Sequence, residues 1–254
     1  DCYDRHKLKR VAGVLSVFSF VAFVYYYQNG LGIAYNDARS HLDIGRRVVD
    51  GLNPGIAQLG SVWLPLTHIL MTATIWNDFM WHSGLAGAIQ SMAAYVVTGV
   101  LIFLFLKELG IGILGRLAGV VVFALNSNML YLQSTAMTEP MFIVTMMAGF
   151  YSFLLWYKRD KLKFLIITAF WIMLSTLVRY DGWFLFFLAT VMIAFSAWKK
   201  RNWRNTEGNL FIFCALGGLG IVLWLLWNLL IFGDPLYFAF GPYSAHSQQL
   251  QLET

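Results

Sequence analysis

Apolar residues along this chain gather into seven long runs, at residues 11–27, 83–106, 117–132, 141–157, 164–178, 182–198 and 209–232. A helix needs about 17–25 such residues to cross a bilayer. The runs therefore predict seven membrane spans, of which the third and fifth are short. Polar joints separate them, and residues 28–82 form one long segment of mixed character. The expected fold class is all-α: a polytopic transmembrane helical bundle of about seven spans, with amphipathic interfacial helices in a long first external loop.

Charge orients the spans, because Lys and Arg collect in cytoplasmic loops. With the N-terminus in the cytoplasm, the cytoplasmic segments hold Arg5, Lys7, Lys9, Arg10, Lys107, Arg116, Lys158, Arg159, Lys161, Lys163, Lys199, Lys200, Arg201 and Arg204. These are fourteen of the 18 basic residues. Arg39, Arg46, Arg47 and Arg179 fall outside, together with eight of the 13 acidic residues, Glu253 among them. The apolar stretch "VWLPLTHILMTATIW", residues 62–76, tests this scheme. As a span it would move the Lys158–Lys163 and Lys199–Arg204 clusters to the outside. It is expected instead as an interfacial or re-entrant helix, with Trp63 and Trp76 at headgroup level.

The first external loop contains "YNDARSHLDIGRRVVDGL", residues 35–52, unusually charged for a chain with 12% charged residues. Leu42, Gly45, Val49 and Leu52 recur at helical spacing, and Ile44 pairs with Val48. Arg39, Arg46 and Asp50 sit off that stripe, and Gly51 and Pro54 end it. The pattern predicts a helix over Asp37–Asp50 lying on the outer membrane surface.

Composition agrees. The chain is 59% hydrophobic and 17% aromatic with a mean hydropathy of +0.63, against about 45–50% apolar in soluble domains. The net charge of +5 follows from the cytoplasmic excess, so no nucleic-acid partner is expected. Cys2 and Cys214 are poor disulfide partners, and the first run lacks a small-residue cleavage site. The chain opens at Asp1 and ends in the polar "SAHSQQLQLET", around His246. Residues 1–254 are therefore expected to be the transmembrane core of a longer protein.

Ionisable groups at the edge of an apolar region are costly and mark function by default. Here they are Asp37, His68, Glu139, Arg179, Asp181 and Asp234. Each also has a structural reading. Asp37 or Asn36 could cap the loop helix. Glu139, before Pro140, suits a helix N-terminus. Arg179 and Asp181 could pair within the tight turn "LVRYDGW". Asp234 before Pro235 is a turn pattern, and His68 could be a core histidine. Trp63, Tyr35 and Tyr180 read as interfacial aromatics. The chain has no P-loop, G-x-S-x-G, H-E-x-x-H, C-x-x-C or paired DxD.

The layout and three strings resemble the GT-C superfamily of polytopic glycosyltransferases, which use polyprenyl-phosphate-linked sugars at the outer membrane face. The strings are "YNDARSHLDIGRRVVDGLNPGIAQLGSVWLPLTHILM", "AMTEPMF" and "VRYDGW". The likeness covers nearly the whole chain. It is nearest the branch of protein O-mannosyltransferases and the lipid A aminoarabinose transferase, in bacterial and archaeal forms. The resemblance implies that Asp37 takes the place of the first-loop catalytic carboxylate, Glu139 that of a second acidic residue, and Arg179 that of the cation meeting the lipid phosphate. Asn36-Asp37 stands where some members have a DE pair. The tandem acidic and WWD-like motifs of oligosaccharyltransferases are absent, which argues against Asn glycosylation.

The chemistry fits those roles. A polyprenyl phosphate leaves readily once its charge is stabilised, and Arg presents planar donors to phosphate. An acceptor hydroxyl needs a base, expected at Asp37. Glu139, Asp181, Tyr35 and Arg39 complete the expected substrate-binding set, with His68 on the acceptor side. No cofactor is required; a divalent cation could lie between Asp37 and Glu139. Expected partners are the lipid-linked donor, a lipid, glycan or protein acceptor, and membrane lipids, in the plasma membrane of a bacterium or archaeon. The rival readings are a transporter or lipid-handling protein, which needs broken helices and midplane ionisable groups, and a non-catalytic scaffold.

Overall fold

The computed structural model describes residues 2–200, 203–244, 247 and 249, leaving Arg201, His246 and Glu253 outside. These residues form helices and connecting turns, with no strand among them. In chain order the helices are α1 (Cys2–Gln28), α2 (Asn36–Val49), α3 (Leu66–Met71), α4 (Asp78–His82), α5 (Leu85–Glu108), α6 (Ile113–Ala124) and α7 (Ser127–Leu132). They continue with α8 (Glu139–Arg159), α9 (Leu162–Thr176), α10 (Asp181–Lys200), α11 (Trp203–Gly217), α12 (Leu219–Phe232) and α13 (Tyr237–Phe240). This is a polytopic helical membrane bundle.

Among the described residues five stretches are long and apolar enough to span: His6–Gln28, Leu85–Glu108, Glu139–Arg159, Asp181–Lys199 and Thr206–Phe232. The last is kinked where Gly218 separates α11 from α12. The expected fifth span is α9, with 15 residues, about 22 Å at 1.5 Å per residue. The expected third span, 117–132, is two helices rather than one. It breaks at Leu125 and Asn126, where the Asn126 side chain accepts from the Met129 N–H at 3.0 Å and caps α7. Tyr95, fully buried on α5, donates its hydroxyl to the Ala124 carbonyl at 2.8 Å. A broken helix inside apolar surroundings must have its freed backbone groups satisfied in this way.

The main core forms around α9, where Leu165, Ala169 and Ile172 meet Trp156 of α8, Leu185, Ala189 and Ile193 of α10, and Phe213 of α11. Two ends of the bundle are distinct. At one, Lys158 and Arg159 of α8 bond the Glu108 carbonyl and carboxylate of α5; this is the basic end. At the other, residues 29–84 fold over the helix termini. Leu66 N–H donates to the Leu177 carbonyl at 3.1 Å. Tyr180 hydroxyl donates to Val62 carbonyl at 2.9 Å, and Trp227 Nε1 to Gly60 carbonyl at 3.1 Å.

The loop helix differs from its sequence pattern. Ala38, His41, Leu42, Ile44 and Gly45 are its buried residues, while Val49 and Leu52 are exposed, Leu52 fully. The helix ends at Val49, so the stripe cannot continue through Leu52. Its apolar face meets protein rather than lipid: Ala38 and Leu42 pack with Met71, Ile75, Ala86, Ala136 and Met137. Arg46 is not a solvated charge either. It bonds Asp50 and Asp78, reaches the Ile75 and Trp76 carbonyls, and lies 4.8 Å from the Trp81 ring centroid. Within 62–76 only α3 is regular, and Thr67, His68, Met71 and Ile75 are buried against the bundle end. Trp76 is exposed, but Trp63 packs on His41 with ring centroids 4.6 Å apart.

Gly182 permits the sharp turn from α9 into α10, since a Cβ there would stand 2.3 Å from the Ser175 carbonyl oxygen. Gly182→Ala should therefore lower stability by about 1–3 kcal/mol, the usual cost of overpacking. Thermal unfolding in detergent measures this, and an unchanged melting temperature would remove the close approach.

Candidate active site

The loop end gathers ionisable side chains that lie far apart in the chain. Arg179, in the turn between α9 and α10, is the hub. Its Nη1 donates to Glu139 Oε1 at 2.8 Å and to Thr138 Oγ1 at 3.1 Å, and its Nε donates to Asp181 Oδ2 at 2.9 Å. Glu139 opens α8 immediately before Pro140, in the first helical turn. Asp181 opens α10. Both carboxylates therefore stand at positive helix ends. Arg179 and Glu139 are about one-third exposed, whereas Asp181 is 60% exposed. Glu139 Oε2 is buried with no hydrogen-bond partner.

A second pair lies beside this hub. His41 Nδ1 and His68 Nε2 are 2.8 Å apart, and both rings are buried. One proton must be shared along that line, so at least one imidazole is neutral. Burial pushes the His41 pKa down to about 4, and the Arg179 charge adds to the shift. Burial also pushes His68 down to about 3, followed by repulsion from His41. The Leu64 backbone favours the charged form slightly but closes no bond of good geometry, since His68 Nδ1 is buried without a partner. Both rings are thus neutral at ordinary pH.

Asp37 occupies the first turn of α2, four residues and so one turn before His41. Its half-buried side chain makes no hydrogen bond or ion pair with a described residue. The helix N-cap is Tyr35, and no side chain closes the cap. Capping therefore does not occupy Asp37. Arg39 is exposed and unpaired among the described residues. Tyr35 is half-exposed.

The structure thus unites Glu139, Arg179 and Asp181 directly, and brings His68 to them through His41. Asp37, one turn before His41, has no partner among the described residues, and Tyr35 and Arg39 are not drawn into the hydrogen-bonded group. Asp234 accepts from the Leu236 N–H at 2.8 Å, a local turn. Tyr180 is a clasp rather than an interfacial aromatic, bonding Val62 and Trp224 and stacking on Phe238. His41 was the residue missed by sequence reasoning. Its signal was its spacing, one turn beyond Asp37 and in register with buried Ala38 and Leu42. No three His, Cys, Asp or Glu side chains gather as a metal site among the described residues.

The class defined so far is a polytopic helical membrane bundle with its acidic, Arg-centred cluster under a folded loop. Comparison with solved structures finds a similar fold in a chain of the S. cerevisiae protein O-mannosyltransferase Pmt1–Pmt2 complex bound to the sugar donor. The TM-score is 0.64 at 16% sequence identity, over 89% of this chain. This chain spans 34% of that longer one. No protein-family model and no curated protein sequence matches the chain.

The neutral His pair carries a pH consequence. Unfolded histidines take up protons below about pH 6.5, whereas the folded pair resists them. The unfolded state then binds more protons, so stability falls as pH drops from about 6.5 toward 4. Melting temperatures between pH 7.5 and 4 should decline in wild type and decline less in a His41→Asn, His68→Asn double variant. Parallel curves would mean that the pair does not titrate as described.

Proposed function

We propose that the protein is an integral-membrane glycosyltransferase that moves a sugar from a polyprenyl-phosphate donor to an acceptor hydroxyl. The observation that carries this reading is the cluster at the loop end, a free carboxylate one turn from a neutral His pair beside an Arg held between two carboxylates. The similar fold of the mannosyltransferase chain supports the class. The basic end faces the cytoplasm by the distribution of Lys and Arg, which puts the loop end and its chemistry outside.

In the reaction the acceptor oxygen attacks the sugar C1 and gives its proton to the Asp37 carboxylate. The C1–O bond to phosphate breaks, and the electron pair leaves with the polyprenyl phosphate. A single displacement of this kind inverts the anomeric centre. Arg179 stabilises the leaving phosphate. Its present group carries a net charge of −1, so an incoming phosphate competes with a carboxylate. Asp181 is the exposed partner and yields, while Glu139 keeps Nη1 and holds the guanidinium in place. Glu139 Oε2, buried without a partner in the present arrangement, meets a sugar hydroxyl once that exchange uncovers it. A cation held by Asp37 and Glu139 would need further oxygens from donor and water, because hard cations take six or more.

The transporter reading finds broken helices here, at Asn126 and Gly218. The polar groups at the first break, Asn126 and the Tyr95 hydroxyl, are committed to backbone groups, however, and no Asp, Glu, His, Lys or Arg stands among them.

Asp37→Asn should abolish transfer while donor binding and folding persist, and near wild-type transfer by this variant would remove Asp37 as the base. Arg179→Lys keeps the charge but loses the planar fork, so donor affinity should drop by about tenfold or more. Asp181→Asn removes the competing carboxylate and should tighten donor binding. Looser binding in that variant would contradict the exchange. Transfer should continue in excess chelator; its loss would put a cation in the site.

A further inference from the structure

At the basic end, away from the cluster described above, the cytoplasmic halves of α8 and α10 leave a groove of about 290 Å³. Its walls are Phe153, Leu154 and Tyr157 from α8 and Met192 and Phe195 from α10; Ser196 and Lys199 close its polar end. The apolar wall is continuous with outward-facing Phe184, Phe187, Val191 and Phe195 along α10. These belong to a spanning helix, so the groove opens toward hydrocarbon. Phe153 and Tyr157 stack at 6.4 Å, giving one wall a flat aromatic face.

The polar end carries an uncommitted positive charge. Lys158 and Arg159 on α8 are held by Glu108. Lys199 makes no hydrogen bond or ion pair with a described residue, and Ser196 Oγ has no hydrogen bond among them. A Lys at the end of a spanning helix extends to the headgroup level, and anionic lipids concentrate opposite basic residues there. An apolar trough ending in a free ammonium and a hydroxyl is complementary to one lipid class.

We propose that the groove between α8 and α10 seats one anionic phospholipid, its acyl chain against Phe153, Met192 and Phe195 and its phosphate on Lys199 and Ser196. The site is separate from glycosyl transfer and does not depend on it. The lipid fills a gap between two spans that otherwise meet mainly through α9, so it acts as part of the bundle at this end.

The test is native mass spectrometry of the detergent-solubilised protein with equimolar phosphatidylglycerol and phosphatidylcholine of identical chains. Wild type should retain phosphatidylglycerol with a preference on the order of fivefold, as expected of a seat built on one Lys. Lys199→Glu should abolish the preference. Lys163→Glu makes the same charge change at the same end but outside the groove, and should leave it intact. Met192→Trp, which fills the groove, should reduce retention of both lipids. Equal retention of the two lipids by wild type would overturn the proposal, as would equal losses in Lys199→Glu and Lys163→Glu, which would mean diffuse surface charge. Displacement of phosphatidylglycerol by an equimolar polyprenyl phosphate would assign the groove to the donor chain instead.

Discussion

Arg179 sits where three stretches of chain meet, and the loop end is organised around keeping its charge satisfied. Its guanidinium joins the start of α8 to the start of α10 through Glu139 and Asp181. Its field also helps hold His41 of α2 in the neutral form. A guanidinium at the edge of an apolar bundle is tolerable only when its donors are met. Meeting them here fixes the distance between α8 and the α9–α10 turn. Asp37, one turn before His41 on α2, makes no bond to the guanidinium.

The loop is held to the bundle by a different set of forces. Ala38, Leu42, Met71 and Ile75 pack against Ala86 and Ala136, and α5 lies so close to the segment before α8 that a Cβ on Gly87 would meet Ala136 Cβ at 2.3 Å. Tyr180, Trp227 and Leu66 add hydrogen bonds between loop and helix ends. The irregular segment 133–138 between α7 and α8 is buried, and Gln133 satisfies part of it through Ser19 and Ser134. Non-helical backbone at this depth persists because protein, not lipid, surrounds it.

Much of this was legible in residue pattern. Five of the seven expected spans were marked by run length among the described residues, because bilayer thickness acts directly on composition. Glu139, Arg179 and Asp181 were visible as charges at span edges, though not their mutual bonds, since 40 residues separate Arg179 from Glu139. The loop helix was found within one residue at each end, yet its buried face was misjudged beyond Gly45. Periodicity tells which residues share a stripe, and it is silent on where the helix stops turning toward its neighbour. The pattern places Arg46 off the stripe but not its partners, because Asp78 and Trp81 arrive from a later part of the loop. The break at Asn126 was hidden by an apolar run that continues through it. The His41–His68 pair, 27 residues apart, depends on tertiary packing alone.

The central claim is that a polyprenyl phosphate places its phosphate at Arg179 under the loop. Photo-crosslinking tests it most directly, using a short polyprenyl phosphate that carries a diazirine next to the phosphate. The protein is purified whole, labelled, and mapped by peptide mass spectrometry. Label confined to peptides containing Glu139, Arg179 or the α2 segment, and reduced in Arg179→Lys, is the predicted result. Label at the basic end between α8 and α10, or labelling indifferent to Arg179→Lys, would contradict the account.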